Sequence, residues 1–414
     1  MKCQVGSCKE ERIAPLNNAS RRRIATFLLI FASWVGLLTV LDPTNGGFGG
    51  VQIPVLKYMP FWLSAIASLL YFFSSKGYFS KLEFSLVSFV SIMILGSLWN
   101  LMFQGASLQE SYLGRAIGGF VLIAFLLISR FEGEVLLFFR FFVPALFISV
   151  AIMFFVLILF RVGIVYQELP QMYQVKAILF ASAGILALLW LKNKKIKLLM
   201  FLMAALGLLL IQKTTALLLM VLLCCYGFYI YLTEGKKKLL VSFNKVGIWG
   251  LLIVGVLVSI FTMLIAIYGL VEHRVNEGAR ENEVRAITLQ MRWDEFVESP
   301  VYGNFFTGSP LVDVSTLHIP AHSDVLDFLA MGGVISILLF FSPVLIQMLR
   351  NIRLKQSLSR RNWLSFTILV SMLVMVMNPI LSMPGLSFVF WMSIGLLLAF
   401  CPVKQLPYGR NNER

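Results

Sequence analysis

The chain has 414 residues, of which 59% are hydrophobic and 13% charged, against the roughly 25% charged residues of a soluble domain. Its formal net charge is +15, but apolar runs near the ~18–20 residues needed to cross a bilayer recur along its length. A soluble domain is therefore excluded. The expected fold is all-α: a polytopic integral membrane protein of about twelve transmembrane helices, with one long extracytoplasmic loop before the tenth.

A cytoplasmic tail, residues 1–23, carries the cluster 21-RRR-23. The first apolar run, Ile24 to Leu41, ends in DPTNGG and not in a small-x-small cleavage site, so no cleavable signal peptide is expected. Further spans are expected near 58–73, 82–103, 112–129, 141–160, 175–191, 198–211, 214–232 and 246–269, which places nine helices within 24–270. The connection 271–322 is polar and long. Three more spans, near 324–348, 362–380 and 386–401, fall within 323–401, and residues 402–414 form a second cytoplasmic tail. With both termini inside, twenty-six of the 35 Lys and Arg fall on the cytoplasmic side, as the positive-inside rule requires. The basic charge is thus read as topology. It implies anionic membrane lipid as a partner and no nucleic acid.

None of the five cysteines lies in the outer loop, so no disulfide is expected. Cys3 and Cys8 have no histidine or second cysteine pair beside them, and no HExxH occurs, so no metal or other cofactor is expected. G-x-S-x-G and P-loop signatures are likewise lacking.

The loop 271–322 holds the polar chemistry. A connection of this length is usually functional or disordered, and 280-RENEVRAITLQMRWDEFVESP-300 has helical periodicity. Val284, Ile287 and Met291 share one face, and Leu289, Trp293 and Phe296 a neighbouring one. The expectation is an amphipathic helix near the membrane surface, stopped by Pro300. Arg285 and Arg292 are seven residues apart and share a face, with Arg280 and Arg274 upstream. Guanidinium groups suit the bidentate geometry of phosphates, so these four arginines are candidates for an anion site. The alternative is a helix resting on headgroups with Arg292 paired to Asp294, Glu295 or Glu298. Lys213, in 211-IQKTTA-216, either snorkels to the interface or points into a polar cavity. Arg115 and Lys176, near the outer ends of spans, are read in the same way: both are able to snorkel.

All three histidines, His273, His318 and His322, lie in one window of about fifty residues. His322 precedes the tenth span. Ser323 can cap that helix, and Asp327 sits in its first turns. A helix N-terminus disfavours imidazolium and leaves the ring able to accept a proton. The competing role is a structural histidine at a helix end. His318 and Asp327 are weaker candidates.

These features resemble the O-antigen polymerase and O-antigen ligase superfamily of polytopic glycosyltransferases. The resemblance rests on 285-RAITLQMRWDEFVESPVYG-303, on 322-HSDVLDFLAMGGVIS-336, and on 212-QKTTA-216 where members have a Ser/Thr-Arg-small motif. Ser336 stands in place of a glycine, Lys213 in place of the usual arginine, and Asn304-Phe305 where a second glycine often follows Gly303. The resemblance implies a metal-independent sugar transfer from an undecaprenyl-diphosphate-linked glycan at the periplasmic face of a bacterial inner membrane. It implies that Arg285 and Lys213 bind the diphosphate, and that His322 orients or deprotonates the acceptor hydroxyl. Spacing adds Arg292 and Arg280 as helpers. The acceptor would be a second glycan for a polymerase, the leading reading, or lipid A–core for a ligase. A chain-length regulator is a possible protein partner. A flippase or anion carrier using Lys213, Arg115 and Lys176 is the alternative from another class.

Overall fold

The apolar runs form helices because a backbone in hydrocarbon must satisfy every N–H and C=O within its own segment. The computed structural model describes residues 17–41, 47–48, 51–52, 54–74, 79–105, 111–161, 173–211, 214–234, 279–314, 317–320, 323–353 and 358–399. The expected span 246–269 lies outside these residues. In chain order the described elements are α1 (Asn18–Leu41), the hairpin β1 (Gly47–Phe48) and β2 (Val51–Gln52), α2 (Pro54–Ser74), α3 (Lys81–Phe103), α4 (Leu113–Ala116), α5 (Gly119–Ile128) and α6 (Glu132–Arg161). Then come α7 (Tyr173–Trp190), α8 (Lys194–Ile211), α9 (Thr214–Glu234), α10 (Ala279–Glu298), the hairpin β3 (Leu311–Val314) and β4 (Leu317–Pro320), α11 (Asp324–Arg353), α12 (Leu358–Met377) and α13 (Pro384–Ala399).

The chain is an α-helical bundle, and four of its described helices are long and apolar enough to cross a membrane: α1, α3, α6 to Leu159, and α11 to Arg350. The single span expected at 112–129 is instead two helical pieces, α4 and α5. α5, α7 and α13 form the centre. Residues 176–187 of α7 and 384–398 of α13 are buried throughout, as expected of helices apolar on every side. α1, α2 and α12 pack around them. The outward faces carry exposed Phe27, Phe31 and Trp34 on α1 and Trp62, Leu69 and Phe73 on α2, side chains suited to hydrocarbon. Inside, polar groups pair across helices. Thr26 donates to Glu134 at 2.7 Å, and its oxygen lies 2.6 Å from the Tyr71 hydroxyl.

The amphipathic helix forms as α10, but it does not lie across the end of the bundle. It runs beside α11 in the same direction: Arg292 meets Asp327, and further along both chains the Pro300 carbonyl accepts from the Val334 N–H at 2.9 Å. The cause is a break in α11. Gly333 has φ 61 and ψ −168, which interrupts the ladder and frees backbone groups in an apolar stretch. The turn after α10 takes them up. Val301 O accepts from Ile335 N at 3.3 Å, and Phe306 N donates to Met331 O at 2.9 Å. The fit needs a tight turn, with φ 58 at Gly303 and positive φ at Phe305 and Phe306, a strained arrangement for two aromatic residues.

Candidate functional site

The site sits where α10, α4 and the start of α11 meet. Ser323 begins it by capping α11, its Oγ accepting from Leu326 N at 3.2 Å, the role its side chain suggested in the sequence. Asp324 and Asp327 follow in the first turns, where the helix dipole favours negative charge. Both are fully buried. A buried carboxylate needs partners, and each has them. Leu381 N donates to Asp324 Oδ2 at 3.0 Å. Arg115 Nη1 donates to Asp327 Oδ2 and lies 3.6 Å from Asp324 Oδ1. On the other side of Asp327, Arg292 Nε stands 3.1 Å from Oδ1, an ion-pair contact whose angle is not that of a hydrogen bond.

Arg292 is 2% exposed. Its Nη1 donates to Glu295 Oε2 at 2.6 Å and its Nη2 to the Ser309 carbonyl at 2.7 Å. One guanidinium therefore ties α10 to α11 and to the strand-bearing segment that follows. Arg115 lies over the Tyr112 ring, 5.4 Å from its centroid, a cation–π contact strengthened by the absence of water. The cluster holds two arginines against two buried aspartates and the half-exposed Glu295.

Of the sequence candidates, Arg292 and Asp327 come together here. Glu295, one of the three carboxylates weighed as Arg292 partners, is a partner in fact. Arg285 and Arg280 lie on α10, with side chains outside the described ones. Arg285 is seven residues before Arg292 and so on the same face of the helix. His318 lies on β4 opposite Asp313 in the antiparallel register. His322, Lys213 and Arg274 fall outside the described residues; His322 immediately precedes Ser323, and Lys213 immediately precedes α9.

Arg115 and Asp324 were missed as site residues. Of the two courses open to Arg115 and Lys176, snorkelling is not the one taken: they are 6% and 2% exposed, respectively. Arg115 bonds inward to Asp327 because a guanidinium within the bundle gains more from a buried carboxylate than from a reach to the interface. The signal was available. A cation inside an apolar run asks for an acidic partner, and 323-SDVLD-327 offers two carboxylates on one helical face. Among the described residues no three His, Cys, Asp or Glu side chains converge in a way that could hold a metal, and both buried carboxylates already face Arg115. Chemically, the arrangement is a rigid, charge-compensated brace that fixes one helix carrying arginines against another whose N-terminus follows a histidine. No protein-family model matches the chain, and no curated protein matches it.

Proposed function

We propose that the protein is a glycosyltransferase that uses an undecaprenyl-diphosphate-linked glycan, and that it is an O-antigen or similar surface-polysaccharide polymerase. In this reading about twelve spans cross the bacterial inner membrane, both termini are cytoplasmic, and the site faces the periplasm. The observation that carries the reading is the pairing of Asp327 with Arg115, by a hydrogen bond, and with Arg292, by an ion-pair contact. It holds the helix of Arg285 beside the helix that His322 precedes, and these two are the residues that the family resemblance assigns to catalysis. Arg285 and Lys213 bind the diphosphate and stabilise the charge that grows on it as it leaves. The acceptor hydroxyl attacks the anomeric carbon, the bond from that carbon to the diphosphate oxygen breaks, and the hydroxyl proton passes to His322. Both Nη atoms of Arg292 are taken by protein oxygens, so Arg292 acts as a positioning residue that orients the face bearing Arg285. Arg280, five residues before Arg285 and so about 140° round the helix from it, is a more distant helper in binding the diphosphate.

The test is deletion of the gene in its host, with lipopolysaccharide resolved on a gel and complementation by wild type, His322→Ala and Arg285→Ala. A core carrying a single repeat, with the ladder gone, is the expected result. Loss of every repeat, with polymer remaining on undecaprenyl diphosphate, identifies a ligase that transfers the glycan to lipid A–core. Full rescue by either variant at normal abundance overturns the site.

A further inference from the structure

The turn 300–306 sits deep along two helices that are long enough to span a bilayer, and each measures its depth independently. On α3, Gly96 lies fifteen residues beyond Lys81, about 22 Å of helical rise. A Cβ there would run into the Phe305 carbonyl, so the turn touches α3 at that level. On α11, Gly333 lies seventeen residues before Arg350, about 25 Å of rise, and its break is where Pro300, Val301 and Phe306 bond. Lys81 and Arg350 are the basic ends of the two helices. Against a hydrocarbon core of about 30 Å, both rulers put the turn several ångströms below the boundary on the Asp324 side.

The side chains at that level agree. Val297, Val301, Tyr302 and Phe305 are 58%, 48%, 52% and 54% exposed, and the Tyr302 and Phe305 rings stack at 5.6 Å. Further along α3, three and seven residues beyond Gly96, Trp99 and Phe103 are also exposed, with rings 4.4 Å apart. The backbone on the inner side is satisfied by the broken ladder of α11 and by Asn100 Nδ2, which donates to the Gly308 carbonyl at 3.2 Å. Around α10, Thr288 and Arg292 face the protein, Trp293 and Val297 lie on one exposed flank, and Gln290, Asp294 and Glu298 line the next, with Ile287 and Met291 among them. Such a helix has one flank for protein, one for lipid and a mixed one with groups for water.

We propose that residues 286–308 form a re-entrant wedge: α10 descends beside α11 into the leaflet on the Asp324 side, and Val297, Val301, Tyr302 and Phe305 contact the acyl chains of bilayer lipid. The inference does not depend on the transfer reaction. It depends on α3 and α11 crossing the membrane.

The experiment uses the full chain with its five cysteines replaced, reconstituted in phosphatidylcholine vesicles. Single cysteines at Val297, Val301, Phe305 and, as a water reference, Gln290 carry an environment-sensitive fluorophore. Nitroxide lipids bear the quencher on the headgroup, near the glycerol or midway along the acyl chain, and iodide quenches from water. Labels at Val301 and Phe305 are expected to be blue-shifted, several-fold more quenched by acyl-chain nitroxide than by headgroup nitroxide, and protected from iodide, with Gln290 the reverse. Iodide quenching at Val301 and Phe305 equal to that at Gln290 overturns the wedge. A blue shift without any lipid quenching also overturns it, because a second copy of the chain then covers the face. Should Phe305→Cys fail to elute as a single species, Val301→Cys alone decides.

Discussion

Asp327 Oδ1 and Arg292 Nε lie 3.1 Å apart with both side chains sealed from solvent, and through this contact α10 is fixed to the helix it descends beside. The two residues are 35 positions apart on separate elements. Removing one partner of a buried pair leaves the other uncompensated, a loss of about 3–5 kcal/mol.

Asp327→Asn is therefore expected to destabilise the protein by several kcal/mol and to loosen α10. Because Arg292 depends on the same contact, Arg292→Met added to Asp327→Asn is expected to be sub-additive, with a coupling of about 1–3 kcal/mol. Thermal unfolding of the four proteins in one detergent measures this. Additive losses would mean that the two side chains act separately.

Arg115 carries a second prediction. Its guanidinium faces Asp327 and Asp324 from α4 and stacks on Tyr112. Arg115→Lys keeps the charge but loses the planar fork and the stacking, and it is expected to retain part of the stability that Arg115→Leu loses. A surface or snorkelling arginine would tolerate both changes within about 0.5 kcal/mol. Melting temperatures of the two variants, with protease resistance of the 279–314 segment, separate these outcomes.

Four helices able to cross a membrane were legible because length and apolarity are local properties: the end of α1, both ends of α3 and the start of α11 fall at the ends of apolar runs, while α1 starts six residues before its run, at Asn18. The helical period of α10 was legible for the same reason. Its orientation was not. Ile287, Met291 and Trp293 are exposed while Arg292 is buried, the opposite of a soluble amphipathic helix, because the apolar side faces outward and the arginine finds an aspartate far away in sequence. The steep course of α10 depends on one backbone torsion, the positive φ of Gly333, and on the Pro300 and Val301 carbonyls, which accept from the N–H groups that the break frees. A glycine pair in a sequence announces close packing but not which turn will fill it. The brace was half visible: the spacing of Asp324 and Asp327 can be read, but the choice of Arg115 as their partner is set by packing.

The wedge makes the glycines test themselves. A Cβ at Gly96 would meet the Phe305 carbonyl, and one at Gly333 would meet the Val301 carbonyl in a backbone conformation unfavourable to any L side chain. Gly96→Ala and Gly333→Ala are expected to lower the yield of monodisperse protein and to expose 300–306 to protease. Gly133, in the first turn of α6, has open space around it. Gly133→Ala is expected to be neutral or to stabilise by up to about 1 kcal/mol. Equal behaviour of the three variants would remove the close approach from the account.

Lys213 tests the proposed chemistry most sharply, because the proposed reaction assigns it to the diphosphate. If it holds diphosphate, its charge matters more than its shape. Lys213→Arg is then expected to keep most of the turnover, while Lys213→Gln loses roughly 10²-fold, the scale of deleting one donor to a developing charge. His322→Ala is expected to lose at least as much, and Arg285→Lys to fall between, since it keeps charge without the fork. The measurement is release of undecaprenyl diphosphate from a lipid-linked repeat unit by purified protein in proteoliposomes. Unchanged folding in Lys213→Gln, checked by melting temperature, assigns the loss to the reaction. A full rate in Lys213→Gln would leave the lysine an interfacial cation and move the diphosphate to the arginines of α10.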